Sequence, residues 1–380
     1  MSKEILREYI TDKDLDEIID KYDPQYVMLI SSRNDGKSYA IKKRALRQAI
    51  DHGDEFTYLR RYEIDLKRAD PCRYWADFEK EGNNVFEQLS GGLYDCITQR
   101  NREVFLLGKR AGKKIEEGKV VGHIHALSVA PSYKSLQFPN VRNILYEEFV
   151  SDRFLWDEPR KLMNYVSTIL RSNVGQVWLV GNTITRINPY FREWQLTGFH
   201  KMKPGQIDVY DQPFTDDGGV VHNVRVCVHI PNVTAKSKGI KGMFFGTAAG
   251  MIAGQKWDSK EQPHLEKNVR EYDTLYEMVF DFDYNATYYM RLLQDRNRPD
   301  HVMWYVEPKT TKLQPGTRVI SPRFNESAGA LYTSRFTPIS QRELRAFRLL
   351  DYGRIAYSDN LTGTEFQRAL RMARTPETGE

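Results

Sequence analysis

Cysteine is scarce in this chain, with three residues, Cys72, Cys96 and Cys227, among 380. An odd number spread so widely supplies neither a disulfide framework nor a metal knuckle, and reads as reduced thiols of a cytosolic protein. Long hydrophobic runs are missing as well. No stretch approaches the roughly 20 apolar residues that span a bilayer, and Met1-Ser2-Lys3-Glu4 opens no apolar signal region, so no membrane role is expected. Charge of one sign is not in large excess: 56 Lys and Arg against 51 Asp and Glu leave a net charge of +5. Any nucleic-acid contact must therefore come from local basic patches. Internal repeats and low-complexity tracts are absent too. What remains, 40% hydrophobic and 28% charged, fits an ordinary globular protein of about two domains.

Against that background one segment stands out. Val27-Met28-Leu29-Ile30 is an apolar run, Ser31-Ser32-Arg33-Asn34-Asp35 a polar loop, and Gly36-Lys37-Ser38 opens a segment whose Ala40, Ile41, Ala45, Leu46 and Ile50 recur at helical spacing. A strand, a tight loop and a helix N-terminus in that order suit a polyphosphate: backbone N–H groups cradle it, Lys37 reaches the β- and γ-phosphates, and Ser38 ligates Mg²⁺. The full phosphate-loop pattern has glycine where this chain has Ser31. An ordinary strand–turn–helix connection is the plain alternative, but the further strand Phe56–Leu59 completes a β-loop-α-β unit.

Hydrolysis needs acids on a later buried strand, and Val141–Phe149 provides them. The run ends in Glu147-Glu148, where strand alternation lets the carboxylates take separate tasks: Glu147 at the metal, Glu148 as base for water. An acidic pair capping the next helix is the alternative. A third apolar run, Gln176–Thr183, carries Asn182 near its end, where an additional-strand ATPase places a γ-phosphate sensor. Before it, a helical segment from Leu162 ends in Arg171, which is either an arginine finger for a neighbouring subunit or a cation complementing the helix C-terminus.

The rest of the chain is less directive. Thr197–Gly219 is rich in Gly, Pro and Asp and reads, with the residues to 228, as a linker between an ATPase domain at 1–196 and a second domain at 229–380. In that second half, Tyr276–Asp283, Val302–Val306 and Arg318–Ile320 are expected strands. Asp281 and Asp283 share a strand face, as a metal pair or as a solvent-facing acidic edge. Three basic clusters could meet DNA phosphates without sequence preference. They are the hairpin tip Lys109-Arg110 with Lys113-Lys114, the tail arginines (Arg342, Arg345 and Arg348 behind a Ser340/Glu343 capping box, then Arg368, Arg371 and Arg374), and Lys236, Lys238 and Lys241. Solvated turns and helix faces are the alternative for each. His123 and His125 alternate on a strand and are read as a polar face rather than a metal pair.

These residues resemble a known family. Ser31 to Leu66, with Arg33, Gly36-Lys37-Ser38, Gly53 and Tyr58-Leu59-Arg60-Arg61-Tyr62, is similar to the DNA-packaging ATPases of small tailed phages with protein-capped genomes, relatives of the terminase large subunits. The likeness continues through Ser132-Tyr133-Lys134-Ser135, Phe138-Pro139-Asn140-Val141, Glu147-Glu148-Phe149, Leu162-Met163, Asn182 and Asn188-Pro189-Tyr190-Phe191. It implies an α/β additional-strand P-loop ATPase with a mostly parallel central sheet, followed by a ribonuclease H-like, vestigial nuclease domain of α+β type. It also implies ATP and Mg²⁺ as cofactors, Lys37 as the loop lysine, Glu148 as catalytic glutamate, Asn182 as sensor, and Arg171 and Lys134 as groups reaching a neighbour's nucleotide. The implied partners are double-stranded DNA, the capsid portal and further copies in a pentameric ring, with a structural packaging RNA admitted. The implied setting is the host cytoplasm and, transiently, the portal vertex. A terminase-like nuclease-ATPase and a nucleotide-binding assembly switch of negligible turnover are the competing functions.

Overall fold

In the computed structural model the described residues are 8–31, 35–151, 154–155, 157–171, 173–183, 185, 187–215, 218–233, 259–283, 286–321, 330–333, 336 and 338–374. Ser32, Arg33 and Asn34 of the loop, the cluster Lys236, Lys238 and Lys241, and the side chains of Asp283 and Arg374 lie outside them. The chain divides into two compact units, Met1–Thr183 with Met202–Lys241 and Ile184–Lys201 with Gly242–Glu380.

The first unit opens with α1 (Asp12–Tyr22), whose N-cap Thr11 and Asp14 form a reciprocal capping box. It continues through β1 (Tyr26–Ser31), α2 (Lys37–Asp51), β2 (Glu55–Arg60), α3 (Glu63–Arg68), a 3₁₀ turn (Pro71–Phe78), the short pair β3 (Glu79–Lys80) and β4 (Asn83–Asn84), and α4 (Val85–Ser90). Then come β5 (Cys96–Arg100), β6 (Val104–Ala111), β7 (Lys114–Ala126), β8 (Val141–Glu147), α5 (Glu158–Leu170) and β9 (Gln176–Asn182). After α6 (Pro189–Glu193), which belongs to the second unit, β10 (Ile207–Thr215) and β11 (Val221–His229) return to the first.

Nine strands form one sheet in the order β10-β11-β1-β9-β8-β2-β7-β6-β5. The run from β11 to β7 is parallel, and both outer strand pairs are antiparallel. Parallel strands are covered on both faces, which is why β1 reads as an unbroken apolar run with Val27 to Ile30 fully buried. Helix α2 buries Ala40, Ile41, Ala45, Leu46 and Ala49 on its apolar stripe. Between the loop strand β1 and the acid strand β8 lies β9, the additional strand. The α/β fold expected from sequence is therefore the observed one.

The linker expected over 197–228 is corrected: most of it is the β10–β11 hairpin, and β11 pairs in parallel with β1 from Tyr26↔Val226 to Leu29↔His229. Its outer half is exposed on both faces, so no alternation of apolar and polar residues marked it as strand. The first unit accordingly ends beyond the boundary expected at 196, and Ile184–Lys201 joins the second unit.

The second unit holds β12 (Tyr272–Asp283), β13 (Ala286–Asp295), β14 (Arg298–Pro308), β15 (Arg318–Ile320), β16 (Leu331–Thr333), α7 (Gln341–Asp351), β17 (Ile355–Tyr357) and α8 (Asn360–Arg374). Its sheet order is β16-β15-β12-β13-β14-β17, an antiparallel meander of β12, β13 and β14 extended by parallel strands on either side. Phe280, Tyr288, Trp304, Phe347, Tyr357 and Phe366 fill its core.

Candidate active site

Strands β1, β9 and β8 run in parallel and end at the same edge, in a register that sets Ser31 beside Asn182 and Glu147 beside Val180. The loop after β1 closes at Gly36, whose φ of +87° is open to glycine. A Cβ there would meet the Ile10 carbonyl oxygen at 3.0 Å and Tyr9 Cβ at 3.2 Å. Ile10 N donates to the Asp35 carbonyl at 3.1 Å, so the segment before α1 holds the loop in place. Helix α2 then begins at Lys37.

Lys37 Nζ donates to the Ser31 carbonyl at 3.2 Å and to Asn182 Oδ1 at 3.4 Å. Lys37 and Asn182, 145 residues apart in the chain, are thus brought together. Ser31 accepts Lys37 through its backbone carbonyl, which also takes the N–H of Thr183 at 3.2 Å. Any residue supplies that carbonyl, so the serine costs this contact nothing. Burial pushes the Lys37 ammonium down to about 8, against the opposing pull of Asp35 and Glu147.

The two acids are placed differently. Glu147 is buried; Ser38 Oγ donates to its Oε2 at 3.0 Å and the Tyr74 hydroxyl to its Oε1 at 2.6 Å. Burial raises its carboxyl above the usual range, while those two hydrogen bonds and the charges of Lys42 and Arg60 pull it down. A hydroxyl and a carboxylate in contact are hard oxygen donors of the kind Mg²⁺ accepts, so Ser38 and Glu147 fit the metal site assigned to them. Glu148 follows with φ +58°, turning the chain out of β8. Its carboxylate accepts Arg60 Nη2 at 2.7 Å. Neither acid caps a helix, because the N-cap of α5 is Asp157.

Behind the pair lies a buried ion pair that sequence reading missed. Arg61 donates to both Glu158 oxygens, at 2.7 and 3.1 Å, and to the carbonyls of Glu148 and Phe149 at 3.1 and 2.8 Å. Glu158 is fully buried and also accepts the Tyr146 hydroxyl at 2.6 Å and Leu155 N at 2.8 Å. This network fixes the left-handed turn that presents Glu148. Lys42 was missed too. It is buried against the Tyr74 and Phe78 rings, its ammonium donates to the Tyr74 carbonyl at 2.6 Å, and it pairs with Asp77. The one signal for any of these was the Arg60-Arg61 pair inside the Tyr58–Tyr62 run; nothing local flagged Tyr74 or Glu158.

Arg171 and Lys134 lie elsewhere. Arg171 ends α5 with φ +45° and donates to the carbonyls of Lys134 and Leu136 at 3.0 and 2.9 Å. It precedes the start of β9 at Gln176, whereas Asn182 ends that strand, and six residue steps at about 3.3 Å put roughly 20 Å between those two strand ends.

The remaining candidates are partly corrected. In the β6–β7 hairpin, Lys109 pairs with Glu87 and Asp95, and Arg110 with Glu79 and Asp95, so acids from other segments neutralise half of the expected patch. Lys113 and Lys114 remain exposed at the tip. Arg368 is buried rather than on a solvated face, while Arg342, Arg345, Arg348 and Arg371 are exposed. Ser340 caps α7, but Glu343 does not close the expected box: its carboxylate takes Arg318, Tyr276 and the N–H of Ile339. His123 contacts Glu55 at 2.8 Å, and His125 is buried against Tyr133 and within 2.7 Å of the Tyr165 hydroxyl. Asp281 is buried and accepts Thr287 Oγ1 at 2.8 Å, so it is no solvent-facing edge. Among the described residues no three His, Cys, Asp or Glu side chains are grouped to hold a metal, and no helix is long and apolar enough to cross a membrane.

Comparison with known proteins gives a consistent result. The family model for the podovirus DNA encapsidation protein (Gp16) matches residues 16–212. The chain is similar to the DNA packaging protein of Bacillus phage B103, 31% identical over 175 residues that cover 45% of this chain and 48% of that protein. It is likewise similar to the DNA packaging protein of Bacillus phage phi29, 28% identical over 175 residues covering 45% and 46%. The chain spans about half the length of the curated relatives it matches. Its fold resembles that of a chain in the solved bacteriophage Phi-29 viral genome packaging motor assembly, with a TM-score of 0.51, 20% identity, and coverage of 96% of this chain and 99% of that one.

Proposed function

The chain belongs to the podovirus DNA encapsidation protein family, and from that premise we propose that it is the ATPase of a genome-packaging motor. ATP hydrolysed at the site built on Lys37 and Glu148 drives double-stranded DNA through the portal vertex into a preformed capsid. The observation that carries this reading is the meeting of Lys37 with Asn182 and of Ser38 with Glu147 at one edge of the sheet.

In this mechanism the loop from Ser31 to Ser38, with the N-terminus of α2, receives the polyphosphate, and Lys37 lies against its β- and γ-phosphates. Ser38 and Glu147 hold Mg²⁺, which when bound neutralises phosphate charge and orients the transferred group. Asn182, already in contact with Lys37, responds to the γ-phosphate. Glu148 accepts the proton of the attacking water once Arg60 releases its carboxylate. Arg171, which precedes β9, and Lys134, whose carbonyl accepts its guanidinium, serve a neighbour's nucleotide.

That division of labour calls for a ring of copies, pentameric by family resemblance. Double-stranded DNA and the portal are its partners, a structural packaging RNA is a further candidate component, and the motor works in the host cytoplasm on the capsid. In the second unit, β12 to β16 in the order β14-β13-β12-β15-β16 support a ribonuclease H-like reading. That this domain is a vestigial rather than an active nuclease rests on the family resemblance.

The decisive experiment is Glu148→Gln. It should bind ATP as the parent does and hydrolyse it at least ~100-fold more slowly, the scale of a lost general base. Near-normal phosphate release would refute the assignment and transfer the role to Glu147.

A further inference from the structure

The 3₁₀ turn Pro71–Phe78 has no part in the nucleotide chemistry described so far, yet it delivers a phenol to the metal site. We propose that Tyr74 is a positioning residue that holds Glu147 in its metal-binding orientation. This rests on the nucleotide-site reading above.

Glutamate is one methylene longer than the aspartate usual at this place, so its carboxylate has one more torsion to fix. Two contacts fix it: Tyr74 on Oε1 at 2.6 Å and Ser38 on Oε2 at 3.0 Å. With both oxygens tied, the carboxylate plane cannot rotate away from Ser38. Tyr74 is itself held on two sides. Its ring stacks on Tyr58 of β2 at a centroid distance of 4.3 Å and 27°, and its carbonyl accepts Lys42 Nζ at 2.6 Å. Lys42 lies one helical turn beyond Ser38 on α2. The contacts therefore close a circuit, from Ser38 to Glu147 to Tyr74 to Lys42 and back along α2. A displaced phosphate-loop helix would move both ends of it together, which suits a site whose two metal donors come from the start of α2 and the end of β8.

The test uses the full chain with Mn²⁺ as probe, titrated by electron paramagnetic resonance in the presence of a non-hydrolysable ATP analogue. Analogue binding in EDTA is measured separately. Tyr74→Phe keeps the ring and removes only the hydroxyl, so Mn²⁺ affinity should fall ~10-fold or more, as for other outer partners of metal ligands, with metal-free nucleotide affinity unchanged. Tyr165→Phe, a buried tyrosine bonded to His125 instead, should leave both values at the parent level. Tyr74→Leu, which keeps a bulky apolar side chain and removes the same hydroxyl, gives an independent measure if Tyr74→Phe does not fold, and Mn²⁺ binding should weaken comparably. Parent-like Mn²⁺ affinity in a folded Tyr74→Phe or Tyr74→Leu overturns the proposal. A parent chain that binds the analogue but gains no Mn²⁺ site overturns instead the assignment of Ser38 and Glu147 on which it rests.

Discussion

Arg60 occupies the Glu148 carboxylate proposed to take a proton from water, and removing it tests whether that contact restrains the reaction. The Glu148 side chain is 62% exposed and Arg60 21% exposed, at a separation of 2.7 Å. A pair so open to solvent is worth about 0.2–1 kcal/mol. At 1.4 kcal/mol per factor of ten, Arg60→Ala should increase the unrestrained population of Glu148 by about 1.4- to 5-fold, and DNA-free ATP hydrolysis by no more than that. Salt offers a second handle, because screening weakens the pair in the parent and leaves the variant untouched. The ratio of variant to parent rates should approach one as ionic strength rises. The assay is phosphate release at saturating ATP across a salt series, with melting temperatures measured alongside. A tenfold or greater loss of hydrolysis in a folded Arg60→Ala that still binds ATP would refute the reasoning, for it would make Arg60 a participant rather than a restraint.

Two further outcomes are expected. Lys37 is held near 8 when no phosphate is bound, and only its charged form attracts one. Nucleotide affinity measured by fluorescence should therefore stay level below pH 8 and fall by up to about tenfold per unit above it. In Lys37→Arg, whose side chain stays charged, this fall should vanish, and a flat parent profile would count against the shift. Arg171→Ala should bind ATP but hydrolyse it ~10³-fold more slowly if it acts as an arginine finger. Co-assembled with Glu148→Gln it should regain activity at interfaces pairing an intact Glu148 with an intact Arg171. Mixtures no more active than the sum of the separate proteins, with parent subunits treated identically remaining active, would leave Arg171 as a helix-end cation.

The nucleotide loop and its strands were legible because their signals are local. A buried parallel strand is a continuous apolar run, and Gly36 stands where the loop backbone takes φ +87°. Glu147 and Glu148 were legible as neighbours at a strand end, with Glu147 expected at the metal and Glu148 as the base, but the contacts that set them apart were not. Those contacts come from Ser38, Tyr74 and Arg60, at sequence separations of 109, 73 and 88. The Arg61–Glu158 pair, 97 residues apart, is invisible for the same reason. Charge misled where acids arrive from elsewhere: Lys109 and Arg110 look free in sequence, yet Glu79, Glu87 and Asp95 fold against them. The β10–β11 hairpin was read as linker because an edge ribbon wetted on both faces carries no apolar stripe.

The path of the chain between its two units bears on how such a protein can be divided or inherited. The sensor strand ends at Asn182, and from Ile184 the chain already belongs to the second unit; it returns at Met202 to lay down β10 and β11 and then leaves again. A fragment cut after the sensor would lose β11 and leave β1, the strand that aims the phosphate loop, as a bare edge open to pairing with other chains. A fragment long enough to keep β11 necessarily carries eighteen residues, 184–201, that belong to the other unit. The first unit is thus not a cassette that recombination could lift out at one junction and join to a different partner. Exchange between related genomes would have to replace both units together or rebuild the interleaved segment.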